Sequence, residues 1–303
     1  MSNDLLLQAC RYGHLDIVKY LKLQSLTLDD IRSKNNLALL WACENGHLDI
    51  VKYLIEQGLN LTDIRANNNL ALRWTCKNGH FDIVKYIVGQ GLSLDDIRSN
   101  GNWALKLTCE NGHLDIAKYF VSLGLSVDDI RIGSNYTLRY ACQGGHLDMV
   151  KYLVSLGLSV DDIRSWNNGA LRGACADGHL NVVKYLIEQG LSLDDIRSGD
   201  SRALQLACYY GHLDIVKYLK LQSLTLDDIR SKNNLALRHA CENGHLNVVK
   251  YLVSFGISVD DIRSNDNYAI RYACENGHFD VVNYLISQGI GVGDIIHLSL
   301  IHI

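Results

Sequence analysis

The sequence contains no proline among its 303 residues, whereas a chain of this length carries roughly fifteen at the usual frequency of about 5%. This absence excludes collagen-like, proline-rich and mucin-like chains and favours a helical protein whose turns are made by other residues. The sequence also lacks an excess of basic charge, because it contains 29 Lys and Arg and 33 Asp and Glu. Bulk charge therefore does not indicate binding to nucleic acid or to a membrane surface. No apolar run approaches the roughly 18 residues of a membrane span, and no secretory signal is predicted from the first residues.

The cysteines reveal a strict internal period. Successive cysteines are always 33 residues apart, and nine of the twelve histidines keep the same spacing, from His14 to His278. A glycine precedes each of these histidines. Such a period predicts a stacked array of short helical units rather than one closed core. The nine cysteines are Cys10, Cys43, Cys76, Cys109, Cys142, Cys175, Cys208, Cys241 and Cys274.

Two helices are predicted in each unit. In the second unit, apolar residues at helical spacing indicate a first helix over Leu37–Asn45 and a second over His47–Gln57. Gly46 separates them, because glycine tolerates the left-handed conformation that follows a helix C-terminus.

The segment between one unit and the next leaves two conformations open. Ser93 and Asp96 have the spacing of a capping box, and both a helical turn over Asp95–Arg98 and a β-hairpin fit the sequence. An arginine recurs in this segment from Arg32 to Arg263. Its invariance favours a structural role, in which it pairs with the Asp-Asp of the same or an adjacent segment.

The unit resembles the ankyrin repeat, which is also 33 residues long. The resemblance rests on Leu39, Ala42-Cys43, Gly46-His47, Leu54 and Gly58, and on their equivalents in the other units. It implies an all-α, ankyrin-type α-solenoid of about nine helix-turn-helix repeats, with loops formed by short helical turns or degenerate hairpins. It further implies a single array over residues 1–303, with a capping half-repeat at 1–21 and an apolar tail or cap at 289–303.

The chain departs from the family pattern at two places. Where the family has Thr-Pro-Leu-His, this chain has Leu70-Ala71-Leu72-Arg73. Where the family's hairpin starts with Ala-Asp-Val-Asn, this chain has Leu-Ser-Leu-Asp-Asp-Ile-Arg. In this form the sequence resembles the divergent ankyrin arrays of giant DNA viruses of amoebae. That resemblance implies a host protein as the partner and the host cell cytoplasm as the location.

The cysteine and histidine ladders do not predict a metal or cofactor site. Cys10 and His14 are close in sequence, but neighbouring helices pack roughly 8–10 Å apart, whereas zinc ligands lie about 2.0–2.3 Å from one point. Buried structural thiols are expected, and free thiols favour a reducing compartment, the cytoplasm or the nucleus. Since no phosphate loop, nucleophile elbow or HExxH motif occurs, neither an enzyme nor any catalytic residue is predicted.

Recognition is better sought at positions that differ among the units. One such column precedes the Ala-Cys pair on the first helix, and the resemblance places it in a concave groove. Trp, Tyr and Arg most often dominate binding energy at interfaces, although packing between neighbouring units also explains Trp41 and Trp74. The predicted partner-binding residues are Trp41, Trp74, Trp103, Tyr140, Trp166, Tyr209, Tyr210, Tyr272, Arg73 and Arg139.

The leading functional prediction is a scaffold that binds an unidentified partner protein through the concave face and the loop tips. One alternative is nucleic-acid or small-ligand binding, because Arg73-Trp74, Arg139-Tyr140 and Arg271-Tyr272 place cations beside rings that stack on bases. The negative net charge makes nucleic acid the weaker choice. Another alternative is self-assembly through the apolar tail Ile295–Ile303.

Overall fold

The computed structural model describes residues 2–291, which form eighteen α-helices and no strand. The all-α prediction is therefore confirmed. Among these residues, no helix combines the length and the hydropathy needed to cross a bilayer. In chain order the helices are α1 (Ser2–Tyr12), α2 (Leu15–Leu23), α3 (Leu28–Glu44), α4 (Leu48–Glu56), α5 (Leu61–Asn78), α6 (Phe81–Gly89), α7 (Leu94–Glu110), α8 (Leu114–Ser122), α9 (Val127–Gln143), α10 (Leu147–Ser155), α11 (Val160–Ala176), α12 (Leu180–Glu188), α13 (Leu193–Tyr209), α14 (Leu213–Leu221), α15 (Leu226–Glu242), α16 (Leu246–Ser254), α17 (Val259–Glu275) and α18 (Phe279–Ser287).

The helices belong to two compact units. The first unit comprises residues 1–141 and 148–157, and the second comprises residues 142–147 and 158–303. Within each unit, an odd-numbered helix packs against the even-numbered helix that follows it and against the odd-numbered helix of the next repeat. The predicted helix pairs are thus present in both units. The single array over 1–303 and the capping half-repeat at 1–21 stay predictions, and the tail from Ile295 lies outside the described residues.

The apolar positions of the repeat form the core. In the second repeat, Leu39, Ala42 and Cys43 of α3 and Ile50 and Leu54 of α4 are completely buried. The same positions in the other repeats supply most of the remaining core. Hydrophobic burial at every 33-residue step therefore holds neighbouring helix pairs together.

The cysteines are free thiols, and all are buried except the half-buried Cys274. Burial raises the pKa of Cys10 and Cys76 to about 12. These thiols are consequently protonated at neutral pH and contribute to packing rather than to thiolate chemistry.

A capping box starts the segment that joins two repeats. The backbone N and the Oγ of Ser93 donate to Asp96 Oδ2 at 2.7 and 2.8 Å, and the Asp96 backbone N donates to Ser93 Oγ at 3.2 Å. The first turn of α7 begins at this cap, as the Ser-x-x-Asp spacing predicts. The open choice is therefore resolved in favour of the helical turn, and the hairpin alternative is wrong for the described segments.

A left-handed turn then breaks each odd-numbered helix from α3 to α17. In α3, Ser33 is extended, and Lys34, Asn35 and Asn36 have φ values of 51°, 58° and 62°. A left-handed non-glycine residue costs roughly 1–2 kcal/mol, and Asn, Asp and Gly, which fill most of these positions, accept this conformation best. The third residue offsets part of the strain, as when Asn102 Nδ2 donates to the Asp129 carbonyl of the next repeat at 2.9 Å.

In six joining segments, the arginine bonds the aspartate that precedes Ile-Arg in the following segment. In the first unit, Arg98 Nε and Nη2 donate to the two carboxylate oxygens of Asp129 at 2.7 and 3.0 Å. Bidentate, charge-assisted pairs of this kind are stronger than neutral hydrogen bonds. The structural role predicted for the arginine ladder is confirmed, with the partner in the adjacent segment. The pairs are Arg32–Asp63, Arg65–Asp96, Arg98–Asp129, Arg164–Asp195, Arg197–Asp228 and Arg230–Asp261.

The histidine and glycine ladders interlock consecutive repeats. His80 Nε2 lies 2.9 Å from the Glu44 carbonyl at the end of the preceding first helix. Gly46 has a φ of 81°, and a Cβ at this position would lie 2.7 Å from the His80 ring. Glycine is therefore required both by its backbone conformation and by the imidazole of the next repeat. We call the Arg–Asp pairs and the His–Gly contacts together the seam.

Candidate partner-binding surface

The predicted binding residues lie on the odd-numbered helices, with Tyr210 immediately after α13. We call the variable positions of these helices and of their left-handed turns the first-helix face. Trp166 is 64% exposed and Tyr210 is 51% exposed, whereas Arg139 is buried. The half-buried side chains are Trp41, Trp74, Trp103, Tyr140, Tyr272 and Arg73.

Two of the predicted residues, Trp103 and Tyr140, come together around a lysine. Lys106 Nζ lies 3.7 Å from the ring centroid of Trp103, 4.2 Å from that of Tyr140 and 5.6 Å from that of Tyr136. We call these four residues the Lys106 cluster. Its negative ring faces attract the ammonium by cation–π interaction.

The sequence interpretation missed Lys106 and Tyr136. Tyr136 is 45% exposed and occupies the same column as Trp103, one repeat later. That column could have been found by the criterion that selected Trp103, because it also varies among repeats and holds aromatics. The contact with Lys106 depends on the register between α7 and α9, which the sequence does not display.

Lys106 stands in a column that five repeats fill with arginine, at Arg73, Arg139, Arg172, Arg238 and Arg271. Four of these arginines hold the left-handed turn of their own repeat, since each Nη2 donates to the carbonyl of the turn's first residue, at 2.8 Å in the case of Arg73 and Asn67. The ammonium of Lys106 lies against the rings instead.

This use of arginine bears on two predicted site residues. Arg73 donates to its turn, and the 8% exposed Arg139 does the same through Nη2 to Gly133 O at 3.3 Å. The Nη2 of each guanidinium therefore already donates a hydrogen bond within its own repeat.

A second aromatic cluster occurs in the second unit. The rings of Tyr268 and Tyr272 stack at 3.9 Å with an interplanar angle of 19°, and Arg238 lies 4.6 Å from the Tyr268 ring centroid. The Tyr268 hydroxyl donates to Glu242 Oε2 at 3.3 Å. Burial first, then the Glu242 carboxylate, raises the pKa of Tyr268 to about 12. We call these four residues the Tyr272 cluster.

Tyr209 and Tyr210 form a third group, also in the second unit. The Tyr209 ring packs edge-on against Tyr210 at 4.8 Å and against His239 at 5.1 Å. Burial lowers the pKa of His239 and favours its neutral form. The group therefore presents exposed tyrosine rings backed by an uncharged imidazole.

The remaining tryptophans are placed separately. Arg11 lies 5.3 Å from the Trp41 ring centroid. Trp166 occupies the left-handed turn of α11 with a φ of 55°, a rare conformation for a bulky residue. Arg172 lies 5.0 Å from its ring. Trp74 is half-buried in α5 and belongs to none of the three clusters.

No metal chemistry emerges from residues 2–291, where no group of three or more His, Cys, Asp or Glu side chains is arranged to hold an ion. The histidines of the ladder are instead directed at backbone carbonyls, as His212 is at Ala176 O over 2.9 Å. The chemistry available on the first-helix face is therefore ring stacking, cation–π attraction and hydrogen bonding.

Stacked helix pairs with an invariant seam and a variable face define a helical repeat protein. A family model described as ankyrin repeats (3 copies) matches residues 6–98, 72–164, 138–228 and 204–295. The chain belongs to the ankyrin-repeat family. Repeats of this family are generally protein–protein interaction modules. A search of curated proteins finds no match to the chain.

Proposed function

We propose that this protein is a non-catalytic scaffold that binds a partner protein through its first-helix face. The observation that carries the proposal is that invariant and variable positions of the repeat have different roles. Invariant residues make the seam, whereas exposed and half-exposed aromatics gather at variable positions in three clusters. Aromatic side chains with two rotatable χ angles bury large areas on binding at low entropic cost.

The seam supports this assignment because its polar groups are already bonded. Asp129 accepts two bonds from Arg98 and a third from the Ser126 backbone N at 2.8 Å. Its pKa falls to about 2, chiefly through the Arg98 guanidinium. A partner that bonded the seam would have to break these contacts, whereas the rings of the first-helix face accept a partner without such a loss.

The test compares two surface variants after a partner has been isolated by affinity purification and mass spectrometry. The triple variant Trp74→Ala, Tyr140→Ala, Trp166→Ala removes three face aromatics. We expect its affinity for the purified partner to fall at least about tenfold, since interface hot spots cost more than 1 kcal/mol each. Helicity should be retained by circular dichroism.

The matched control removes exposed apolar side chains from the second helices. Leu23 and Leu221 are 82% and 76% exposed and lie at equivalent positions on α2 and α14. The double variant Leu23→Ala, Leu221→Ala should bind the partner as the parent does. Equal losses in both variants, or full binding by the triple variant, would assign recognition to another surface.

We also propose a reducing compartment, the cytoplasm or the nucleus, because nine free cysteines occur in the chain. A host protein as partner and a relationship to the arrays of giant DNA viruses are proposals supported by the repeat consensus alone. Self-association through Ile295–Ile303 is a further proposal, and the oligomeric state of a variant that lacks Leu298–Ile303 tests it. Nucleic-acid binding is the weaker alternative, because Arg139 is buried and the net charge of the chain is negative.

A further inference from the structure

The Lys106 cluster is a cation-binding arrangement that the chain fills with its own side chain. Two rings lie 3.7 and 4.2 Å from one ammonium nitrogen, and a third, that of Tyr136, lies at 5.6 Å and also holds the Arg139 guanidinium at 4.4 Å. Within residues 2–291, neither a hydrogen bond nor an ion pair of Lys106 accompanies these ring contacts. The cation is therefore held by the ring faces alone.

Lys106 is a replaceable occupant of this cluster. Arginines in the same column are anchored to a turn carbonyl, as Arg238 is to Lys232 O at 3.0 Å, but Lys106 has no such anchor.

The cluster is also accessible. Tyr136 is 45% exposed, and Trp103, Lys106 and Tyr140 are half-buried. An incoming ammonium can approach the same ring faces from solvent. Exchange of one ammonium for another keeps the cation–π contacts of the rings, and the displaced Lys106 ammonium is hydrated by solvent.

We propose that the rings of Trp103, Tyr136 and Tyr140 bind a lysine side chain of the partner protein, and that Lys106 fills this site in the free protein. The inference rests on the proposed scaffold function and specifies the chemistry of the partner, an exposed lysine. The inference is supported by charge complementarity, because the negative ring faces already hold an ammonium group, that of Lys106.

The test removes the resident cation with Lys106→Met, which keeps an unbranched side chain of similar length. The ligand is Nα-acetyl-Nε-trimethyllysine methyl amide, chosen because its cation is weakly hydrated. Binding is followed by the NMR shift of the Trp103 indole N–H, assigned through Trp103→Phe. We expect affinity at least about tenfold higher than in the parent, the factor that corresponds to 1.4 kcal/mol and lies within the cation–π range.

Two controls make the result specific. The neutral Nα-acetyl-norleucine methyl amide should not bind Lys106→Met. The double variant Lys106→Met, Tyr140→Ala removes the ring that lies 4.2 Å from the ammonium, and the gained affinity, read at the same Trp103 N–H, should be lost. If Lys106→Met fails to fold by circular dichroism, Lys106→Gln replaces it.

The inference is overturned if Lys106→Met does not bind the trimethyllysine derivative, if norleucine binds equally, or if the double variant Lys106→Met, Tyr140→Ala keeps the gained affinity. These measurements use no partner protein. If Lys106→Met does not bind the cation but the triple variant of the scaffold test loses partner binding, the lysine site alone is rejected. If the triple variant keeps full partner binding, the scaffold surface is rejected.

Discussion

The motif Asn-Tyr-x-x-Arg-Tyr-Ala-Cys occurs twice, at residues 135–142 and 267–274, four repeats apart. Its two tyrosines nevertheless differ in geometry. Tyr136 and Tyr140 are 6.1 Å apart and tilted by 34°, whereas Tyr268 and Tyr272 stack at 3.9 Å and 19°. The same local sequence thus gives an open pair in one unit and a closed pair in the other.

The preceding repeat differs between the two sites, as does the placement of the motif's own arginine, which lies 4.4 Å from the Tyr136 ring at one site and 5.8 Å from the Tyr272 ring at the other. The preceding repeat supplies Trp103 and Lys106 to the open pair, but Leu235 and Arg238 to the closed pair. The guanidinium of Arg238 is tied to a turn carbonyl, while the ammonium of Lys106 lies between rings. In a repeat protein, the shape of a surface motif is therefore set by its neighbour as well as by its own residues.

The largest loss of stability is expected from changes to the seam. There, the repeats of the open pair and those of the closed pair should behave alike. Asp129→Ala and Asp261→Ala each remove a carboxylate that accepts charge-assisted bonds from an arginine and caps a helix. We expect each to lower the free energy of unfolding by roughly 2 kcal/mol. Urea unfolding followed by circular dichroism measures the change.

The adjacent aspartates provide the control for this prediction. Asp128 and Asp260 are exposed, so their alanine variants should change stability by less than about 0.5 kcal/mol. A large loss in these variants, or a loss confined to one of the two seam variants, would contradict a uniform seam.

Acid should weaken the seam in both units. The pKa of Asp129 is lowered to about 2, mainly by Arg98, and that of Asp261 reaches about 2 because Arg230 and the Ser258 cap outweigh burial. A carboxyl group whose pKa is lowered on folding stabilises the protein above its unfolded pKa, and this contribution disappears as the pH falls through the folded value.

We therefore expect the Tm to fall as the pH decreases from about 4 to about 2. Calorimetry checks this, and the double variant Asp129→Ala, Asp261→Ala should show a smaller fall than the parent. An equal fall in Tm would show that protonation of other groups causes the loss of stability.

Exchange of the two cations should interconvert the clusters. Lys106→Arg should bond the Asn100 carbonyl and let Tyr136 and Tyr140 approach, while Arg238→Lys should separate Tyr268 and Tyr272. Each change should alter stability by less than about 1 kcal/mol. Ring-current shifts and inter-ring NOEs measure the tyrosine spacing, and unchanged spacing in both variants would reject the role given to the cation.

The smallest change in the free energy of unfolding is expected from the removal of single tyrosine hydroxyl groups. Tyr268→Phe removes a 3.3 Å bond to Glu242 and should cost about 0.5 kcal/mol. Tyr136→Phe serves as the matched variant at the other motif and should cost less. A larger loss at Tyr136 would show that the open pair depends on a polar contact rather than on ring faces.

The repeat and its core were predictable from sequence because they depend on local spacing. The 33-residue period, the buried cysteines and the Ser93–Asp96 cap all follow from residues within one unit. The left-handed turn did not follow, because Asn-rich stretches suit several turn types, hairpins included. The partner of Arg98 and the rings around Lys106 lie in the next repeat, and only the packed register identifies them.

The seam also bears on how such a chain changes over generations. Residues 12–39 are identical to residues 210–237, and Arg32 and Arg230 in these copies make the same bidentate bond to the aspartate that follows. Within the described residues, arginine–aspartate pairs and histidine–carbonyl contacts recur at most junctions between repeats, so repeats that keep these residues can adjoin one another. Unequal recombination can therefore duplicate, remove or exchange whole repeats without creating a mismatched junction, and new recognition surfaces can arise by shuffling rather than by point mutation.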